Sequence, residues 1–401
     1  MRGNYQIKHC YCTYRLAVVV LFCDLIAVFF GKTVVNGEIF FGHNYFAVER
    51  TKADAYALAQ GSGRFLYEKN ADERREVASI TKLMTALLVL EALDRDEIAL
   101  TDSVQISPRA AAMKGSQALL DASAVYPLED LLRTTIMASA NDSAVALSEY
   151  IAGSEENFVD RMNRRAAELG MTNTNYVNCT GYPQSGQYTT ARDVCRLCCE
   201  IAKHPRYNQY ASVWIDKLTH PSGRVTDLTN TNRLVRFYEG CDGYKTGSTD
   251  AAKYCLAATA EKNGMRLVAI VLGTPVSQTR FNEARQMLDY GFATYRRVVI
   301  ANKGDLLGQN VEVRGGSAES VPLALGSGLS MLLKNGQQSG LSLSVQLPES
   351  VDAPIAQGDV IGLVDVLLDG QVIAKLNCVA AEDVPRPGFI EGLLRILRNW
   401  R

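Results

Sequence analysis

The stretch VASITKLMTALL, residues 77–88, places one serine and one lysine at the head of a strongly apolar run. Ser79 and Lys82 are three residues apart, and on a helix this spacing puts both side chains on one face, within one turn. The run that follows is apolar on nearly all sides, so we predict a buried helix. A buried helix ordinarily keeps its lysines on a polar face, and the position of Lys82 therefore needs a chemical explanation.

Serine nucleophiles offer such an explanation. A serine hydroxyl attacks poorly until a neighbouring base takes its proton. The usual base is histidine, but the four histidines of this chain lie outside any nucleophile-elbow context, and the sequence contains no GxSxG. A lysine can serve instead when burial or a second cation lowers its pKa. We interpret Lys82 as that base, although an SxxK spacing alone is common.

Two further motifs support this interpretation. SANDS places Ser139 and Asn141 at a break between two predicted helices, where helix capping is the alternative role. GYKTGSTD places Lys-Thr-Gly at 245–247, just before an apolar strand that begins at Tyr254, and an ordinary strand edge is the alternative there. SxxK, SxN and KTG in this order, in helix, loop and strand contexts, indicate a serine acyl-transfer site.

Residues 51–298 alternate long helical patterns with short β-type runs. We predict two strands around a Gly-Ser-Gly turn in 56–71, and a hairpin across Asn263-Gly264 in 254–273. An amphipathic helix should end at Gly170. Helices combined with an antiparallel sheet indicate an α/β or α+β domain with a helical insertion.

The C-terminal quarter of the chain differs in texture. Residues 299–385 are rich in glycine and in short Val/Leu runs, which predicts a small all-β domain. Residues 386–401 carry Phe, Ile, Leu and Trp at helical spacing beside Arg395, Arg398 and Arg401. We predict an amphipathic helix at a membrane interface, with docking onto the β domain as the alternative.

The first 50 residues have the order of an export signal. Arg2, Lys8 and Arg15 precede the stretch LAVVVLFCDLIAVFF, which is apolar except for Asp24. A positively charged segment followed by a short apolar stretch is typical of a signal peptide or signal-anchor. The stretch is shorter than the roughly 20 residues that span a bilayer. We predict export, with a buried N-terminal element as the alternative.

Composition restricts the remaining possibilities. A chain of 401 residues predicts two or three domains. A formal net charge of -1 gives no basic field for nucleic acid.

The ten cysteines have no regular spacing, and Cys195 and Cys199 fit one buried face of a helix. We interpret the stretch CRLCC as core packing, with a metal site as the weaker alternative.

On these motifs the chain resembles the active-site serine penicillin-recognising family, and more narrowly the low-molecular-mass penicillin-binding proteins that are serine-type D-alanyl-D-alanine carboxypeptidases. The resemblance extends over residues 54–401 and includes the segments GRFLYEKNADERREVASITKLMTALLVLE, MNRRAAELGMTNTNYVN, GQYTTARDV and DGYKTGSTDAAKYCLAATA. It implies a serine transpeptidase/β-lactamase-like α/β (α+β) catalytic domain with a helical subdomain, then the small all-β domain and the terminal amphipathic helix.

The resemblance also implies a role for each motif residue. Ser79 would be the acylated nucleophile and Lys82 its general base. Ser139 would relay a proton to the leaving amine, and Asn141 would hold an amide of the substrate. No cofactor and no metal is implied.

A second group of roles concerns the strand and its neighbours. Lys245 would lower the pKa of the base and attract the substrate carboxylate, which Thr246 and Arg280 would contact. Gly247 would leave room for the substrate backbone. Backbone N–H groups of Ser248 and of the nucleophile would form an oxyanion hole.

The implied function is removal of the terminal D-alanine from peptidoglycan stem peptides at the extracytoplasmic membrane face, with β-lactams acylating the same serine. A β-lactamase shares the motifs, but no ExxLN segment lies between Asn141 and Lys245. A transpeptidase differs only in passing the acyl group to an amine instead of water, and the sequence leaves that activity open. A non-catalytic wall-binding protein is a further alternative, but intact Ser79, Lys82, Ser139 and Lys245 argue against it.

Overall fold

The computed structural model describes residues 32–35, 38–41, 51–388 and 390. The chain forms two compact units that divide between Ala293 and Thr294. The predicted leader, 1–50, and the predicted terminal helix, 386–401, lie mostly outside the described residues. Among the residues that are described, no helix has the length and apolar character needed to cross a membrane.

The first unit mixes strands and helices. Its strands are β1 (Lys32–Val35), β2 (Glu38–Phe41), β3 (Ala55–Gln60), β4 (Phe65–Lys69), β5 (Ser103–Gln105), β6 (Val125–Pro127), β7 (Ile215–Thr219), β8 (Val225–Thr229), β9 (Cys241–Thr249), β10 (Lys253–Lys262) and β11 (Met265–Thr274). Its helices are α1 (Lys82–Asp94), α2 (Pro108–Ala111), α3 (Leu128–Met137), α4 (Asn141–Ala152), α5 (Glu155–Glu168), α6 (Ala191–Ile201), α7 (Pro205–Ala211), α8 (Leu234–Phe237) and α9 (Ser277–Thr294). A 3₁₀ turn, Ala78–Thr81, leads directly into α1.

A five-stranded antiparallel sheet in the order β4-β3-β11-β10-β9 is the framework of this unit. The two predicted hairpins are confirmed as β3–β4 and β10–β11. At the second turn Asn263 and Gly264 both have positive φ, 51° and 69°, as a tight turn requires. β9 is an edge strand, since β10 is its neighbour on one side and no other described strand pairs with it. An edge strand offers unpaired backbone groups to an extended peptide.

The helices enclose α1, which is the centre of the core. Leu83, Met84 and Leu87 on α1 are fully buried, so the prediction of a buried helix is confirmed. The predicted break between two helices is also present: α3 ends at Met137 and α4 begins at Asn141. Helix α5 ends as expected, with Gly170 at φ 69° just beyond its C-cap.

The cysteines of the first unit pack as small apolar side chains. Cys195, Cys198 and Cys199 are free and buried on α6, which contacts the sheet at β3 and β11. Burial raises the pKa of the Cys198 thiol. The interpretation of this stretch as core packing is confirmed.

The second unit is built from strands. They are β12 (Tyr295–Ala301), β13 (Leu306–Arg314), β14 (Ser320–Leu325), β15 (Leu329–Lys334), β16 (Leu341–Gln346), β17 (Ser350–Asp352), β18 (Val360–Leu368) and β19 (Gln371–Ala380), with a 3₁₀ turn at Gln337–Gly340. Six of them form one sheet, in the order β16-β18-β19-β14-β13-β17, and β12 pairs with β15. Val321, Val364 and Cys378 are fully buried in its core. The predicted fold class, an α+β unit followed by an all-β unit, is confirmed, and the predicted boundary at 298/299 falls inside β12.

Candidate active site

The turn that precedes α1 brings the serine and the lysine together. Ser79 lies in the 3₁₀ turn, and Lys82 is the first residue of α1. In a 3₁₀ turn residues three apart are eclipsed, so the two side chains point the same way. Lys82 Nζ donates a hydrogen bond to Ser79 Oγ over 3.1 Å.

Two other segments hold the same ammonium. Lys82 Nζ donates to Asn141 Oδ1 at 2.6 Å and to the carbonyl oxygen of Thr180 at 2.6 Å. The side chain is 1% exposed. Burial lowers the pKa of Lys82 to about 7, although the charges of Cys179 and Asp142 act in the opposite direction. Lys82 can therefore be deprotonated near neutral pH, as a general base must be.

Asn141 links the lysine to the loop between α2 and β6. Its Nδ2 donates to the carbonyl oxygen of Lys114 at 2.5 Å, and its backbone N–H donates to that of Ser116 at 2.7 Å. The next residue, Asp142, is fully buried and accepts hydrogen bonds from the backbone N–H groups of Ala118 and Leu120. These bonds fix the orientation of the amide that faces Lys82.

Ser139 occupies an unusual backbone position in the break between α3 and α4. Its φ is 64°, in the left-handed region that non-glycine residues rarely adopt. The residue is buried, and its hydroxyl forms no hydrogen bond with another described residue. Such strain persists where the surrounding structure enforces it, and functional sites are a common place for it. The proton-relay role of Ser139 stays a prediction.

The edge strand β9 contributes a second buried lysine. Lys245 is 1% exposed, and its Nζ donates to the carbonyl oxygen of Thr246 at 3.2 Å. Burial, then the charges of Lys82 and Arg280, hold the pKa of Lys245 well below its usual value. No carboxylate pairs with any of these three cations among the described residues. The unbalanced positive charge of this region therefore favours the binding of an anion.

Arg280 on α9 is hydrogen-bonded to backbone carbonyl groups of the edge strand and of its neighbour. Its Nη1 donates to the carbonyl oxygens of Gly247 at 3.0 Å and Cys255 at 3.2 Å, and its Nη2 donates to Ser277 Oγ. Its Nε is buried without a partner in the described structure. Burial lowers the pKa of Arg280 to about 10. Thr246 Oγ1 meanwhile donates to Thr231 Oγ1 at 2.8 Å.

Gly247 is required by packing inside the protein itself. A Cβ at this position would lie 2.2 Å from the carbonyl oxygen of Val77, two residues before Ser79. The sequence prediction gave a different reason, space for the substrate backbone. The observed contact shows that the KTG strand and the serine turn press directly against each other.

Sequence reasoning missed the segment around Thr180. Asn178 Oδ1 accepts hydrogen bonds from the backbone N–H groups of Thr180 and Gly181, which aims the Thr180 carbonyl at the lysine. A Cβ on Gly181 would lie 2.0 Å from the Ala78 carbonyl oxygen, and its φ of 78° also favours glycine. The glycine in NCTGY was the available signal. Local periodicity does not show which backbone carbonyl oxygens accept hydrogen bonds from a distant side chain.

These elements surround a cleft of about 320 Å³. Ser79, Asn141 and the exposed end of β9 at Ser248 are among its lining residues. Ser139, Lys245 and Thr246 are buried and are not among the lining residues. Of the nine predicted site residues, Ser79, Lys82 and Asn141 are joined by direct hydrogen bonds, and Gly247 and Arg280 form a second bonded pair.

Known families match both units. The family described as D-alanyl-D-alanine carboxypeptidase matches residues 45–276. The family described as penicillin-binding protein 5, C-terminal domain, matches residues 295–386.

Curated relatives and solved structures agree with these matches. The D-alanyl-D-alanine carboxypeptidase DacF of Bacillus subtilis is 36% identical, over 86% of this chain and 89% of the relative. DacC of Escherichia coli, of the same description, is 35% identical over 85% and 87%. Penicillin-binding protein 5 from Haemophilus influenzae superimposes with a TM-score of 0.71 at 31% identity, covering 85% of this chain and 100% of that one.

Replacing Gly247 tests the packing of β9 against the serine turn. Gly247→Ala should destabilise the protein by roughly 1–3 kcal/mol, because the new methyl group overlaps a backbone oxygen that cannot move freely. Gly388→Ala is the control, since a Cβ there has no neighbour within 4 Å. Chemical denaturation of both variants measures the difference. Equal unfolding midpoints for the two variants would contradict this packing argument.

Proposed function

The chain belongs to the D-alanyl-D-alanine carboxypeptidase family, and we propose that Ser79 removes the terminal D-alanine from peptidoglycan stem peptides through an acyl-enzyme. It is a serine carboxypeptidase of the penicillin-binding type. The observation that carries the residue assignment is the 3.1 Å contact between Ser79 Oγ and the buried Lys82 Nζ.

Acylation follows from this contact. Neutral Lys82 takes the proton of Ser79 as Oγ attacks the carbonyl carbon between the two D-alanines. The C–N bond then breaks, and the leaving amine receives a proton, with Ser139 as the proposed relay. Water next attacks the ester, which releases the shortened peptide and returns the proton to Ser79. Asn141 would hold an amide of the acyl half, because it borders the cleft.

The buried basic side chains would favour substrates that carry a free C-terminal carboxylate. Lys82 and Arg280 lie close enough to Lys245 to lower its pKa, and no acid is paired with any of the three among the described residues. A substrate carboxylate beside Lys245 and Thr246 would supply the missing counterion and favour the charged form of Lys245. That charge would in turn keep Lys82 neutral. Arg280, fastened to Gly247 and Cys255, would add positive potential at the same place.

The open edge of β9 would align the substrate. An extended peptide can pair with an edge strand, and Ser248 lies at the exposed end of β9 beside the cleft. Backbone N–H groups of Ser79 and Ser248 are the proposed oxyanion hole. Loss of one such donor typically costs about 2.7–4 kcal/mol in the barrier. A β-lactam ring presents a comparable carbonyl and carboxylate, so we propose that it acylates Ser79 too.

The nucleophile is tested by two assays on one set of proteins. Ser79→Ala should release no D-alanine from a peptide ending in D-Ala-D-Ala, and benzylpenicillin should add no mass to it. The parent chain should do both, and so should the control Ser212→Ala, which changes an exposed serine outside the site. Intact-protein mass spectrometry and D-alanine release are the measurements. A penicillin adduct on correctly folded Ser79→Ala would refute the assignment.

The pH dependence of the reaction tests the base. Because the pKa of Lys82 is lowered to about 7, the residue is cationic and inactive below that pH and neutral above it. We expect kcat/KM for D-alanine release to rise about tenfold per pH unit below 7 and to level off above it. Lys82→Arg should lose this activity, since arginine stays protonated. A profile that is flat from pH 5 to 8 would rule out Lys82 as the base.

We propose that the enzyme acts outside the cytoplasm, with residues 1–50 directing export and residues 386–401 binding the membrane surface. The support is the charge and apolar pattern of both segments. Purified chains that lack residues 1–50 should sediment with vesicles containing anionic phospholipid, and further deletion of 386–401 should leave the protein in the supernatant. Equal sedimentation of the two proteins would contradict an anchoring tail.

A further inference from the structure

The loop between α2 and β6 borders the cleft without helix or strand structure of its own. We call residues 114–121 the wall loop, because Gly115 and Ser116 in it line the cleft together with Ser79. A Cβ on Gly115 would lie 2.8 Å from Asn141 Nδ2, so the backbone of the wall loop is packed directly against this amide. The position of the wall loop therefore sets the shape of the cleft beside Asn141.

Helix α4 provides the first set of contacts that hold the wall loop. The carboxylate of Asp142 accepts hydrogen bonds from the backbone N–H groups of Ala118 and Leu120, at 3.0 and 3.1 Å. The residue between these two, Leu119, has a φ of 65° and a side chain that is 51% exposed. A leucine rarely adopts this left-handed conformation, and it persists only where the surrounding contacts enforce it.

Arg224 provides the second set of contacts, from the turn between β7 and β8. Its Nη2 donates to the carbonyl oxygen of Leu119 at 2.5 Å and to Asp121 Oδ1 at 2.8 Å. Ser222 in the same turn donates to Asp121 Oδ2 at 3.0 Å. The turn therefore holds both the strained residue and the end of the wall loop.

A buried histidine orients the guanidinium group of Arg224. His220 Nδ1 lies 3.1 Å from Arg224 Nη2 and 2.7 Å from the hydroxyl oxygen of Tyr126. A guanidinium group only donates, so Nδ1 accepts and the ring proton lies on Nε2, which is 2.8 Å from Thr226 Oγ1. Burial, then the charge of Arg224, lowers the pKa of His220, which favours this neutral ring.

We propose that Arg224 is a positioning residue of the reaction, which holds the wall loop against the acyl half of the substrate. The inference rests on the proposed function, in which Asn141 holds an amide of that acyl half. Arg224 does not line the cleft, so it would act through Gly115 and Ser116 and not by touching the substrate. The enzyme would depend on Arg224 to recognise the group attached beyond the carbonyl that Ser79 attacks.

Removal of the Arg224 side chain should leave the nucleophile and its base in place. The three acceptors of the Lys82 ammonium group all lie outside the wall loop. The loop would lose its contacts at Leu119 and Asp121 and keep those to Asp142. Attack by the serine would continue, whereas a ligand whose acyl half lies against the loop would react more slowly.

Two β-lactams with the same ring system separate these effects. Benzylpenicillin carries an acylamino side chain beside the reactive carbonyl, and 6-aminopenicillanic acid carries only an amine there. In both reactions Ser79 Oγ bonds to the β-lactam carbonyl carbon, the ring C–N bond breaks and the ring nitrogen gains a proton. Intact-protein mass spectrometry of the full chain gives the two second-order rate constants of acylation.

Arg224→Gln should lower the ratio of the rate constant for benzylpenicillin to that for 6-aminopenicillanic acid by about three- to ten-fold, the effect of losing a typical hydrogen bond. The rate constant for 6-aminopenicillanic acid should stay within twofold of the parent. In the peptide reaction the same variant should lower kcat/KM for D-alanine release by a similar factor.

Asp121→Asn tests the same contact from the loop. It removes the charge that Arg224 binds, so it should also lower the ratio. Because the two residues serve one contact, the double variant should fall no further than the lower single variant. Arg164→Gln is the matched control and should leave the ratio as in the parent, since Arg164 is exposed on α5 and its hydrogen bond to Asp160 lies within that helix.

An unchanged ratio in Arg224→Gln, or equal slowing of both β-lactams, would overturn the inference while leaving the carboxypeptidase intact. Losses that multiply in the double variant would also contradict it. Absence of acylation by both compounds in the folded parent would instead refute the proposed acylation of Ser79, and this inference with it.

Discussion

The burial of one ammonium group is the constraint on which the site depends. Removing an isolated ammonium group from water costs free energy, so burial lowers the pKa of Lys82. The ammonium group donates its hydrogen bonds to protein atoms instead of water. Its three acceptors come from Ser79, Asn141 and Thr180, which belong to three separate segments of the chain. A proton acceptor near neutral pH therefore exists only while all three segments are in place.

Several costly features of the structure serve that arrangement. Ser139 adopts positive φ, Lys245 is buried without an acid among the described residues, and Gly247 and Gly181 are pressed against the turn that carries Ser79. Each would be unfavourable in an ordinary core. They concentrate around the cleft, whereas the sheet and α1 follow regular packing rules. The carboxylate of the substrate is the group that would balance this excess of positive charge.

The edge strand β9 connects recognition to chemistry. Ser248 borders the cleft near the C-terminal end of the strand. The two residues before it are hydrogen-bonded to Thr231 and Arg280. Since β10 is the only described strand paired with β9, the outer backbone groups of β9 can pair with an extended peptide beside the cleft. Under the proposed function, strand register would set the position of the scissile bond relative to Ser79.

The sequence by itself determined the elements that depend on local pattern: the buried helix after Ser79, the Asn263-Gly264 hairpin, the break before Asn141 and the change to β structure in the last quarter. It also supplied the order of motifs that identifies the family. Tertiary structure alone decided that the Thr180 carbonyl oxygen accepts a hydrogen bond from Lys82 and that Gly247 is fixed by the contact with Val77. These contacts join residues far apart in the chain, often through backbone atoms that every residue possesses. Helical or strand periodicity carries no information about such pairs, because it records only which face of an element is buried.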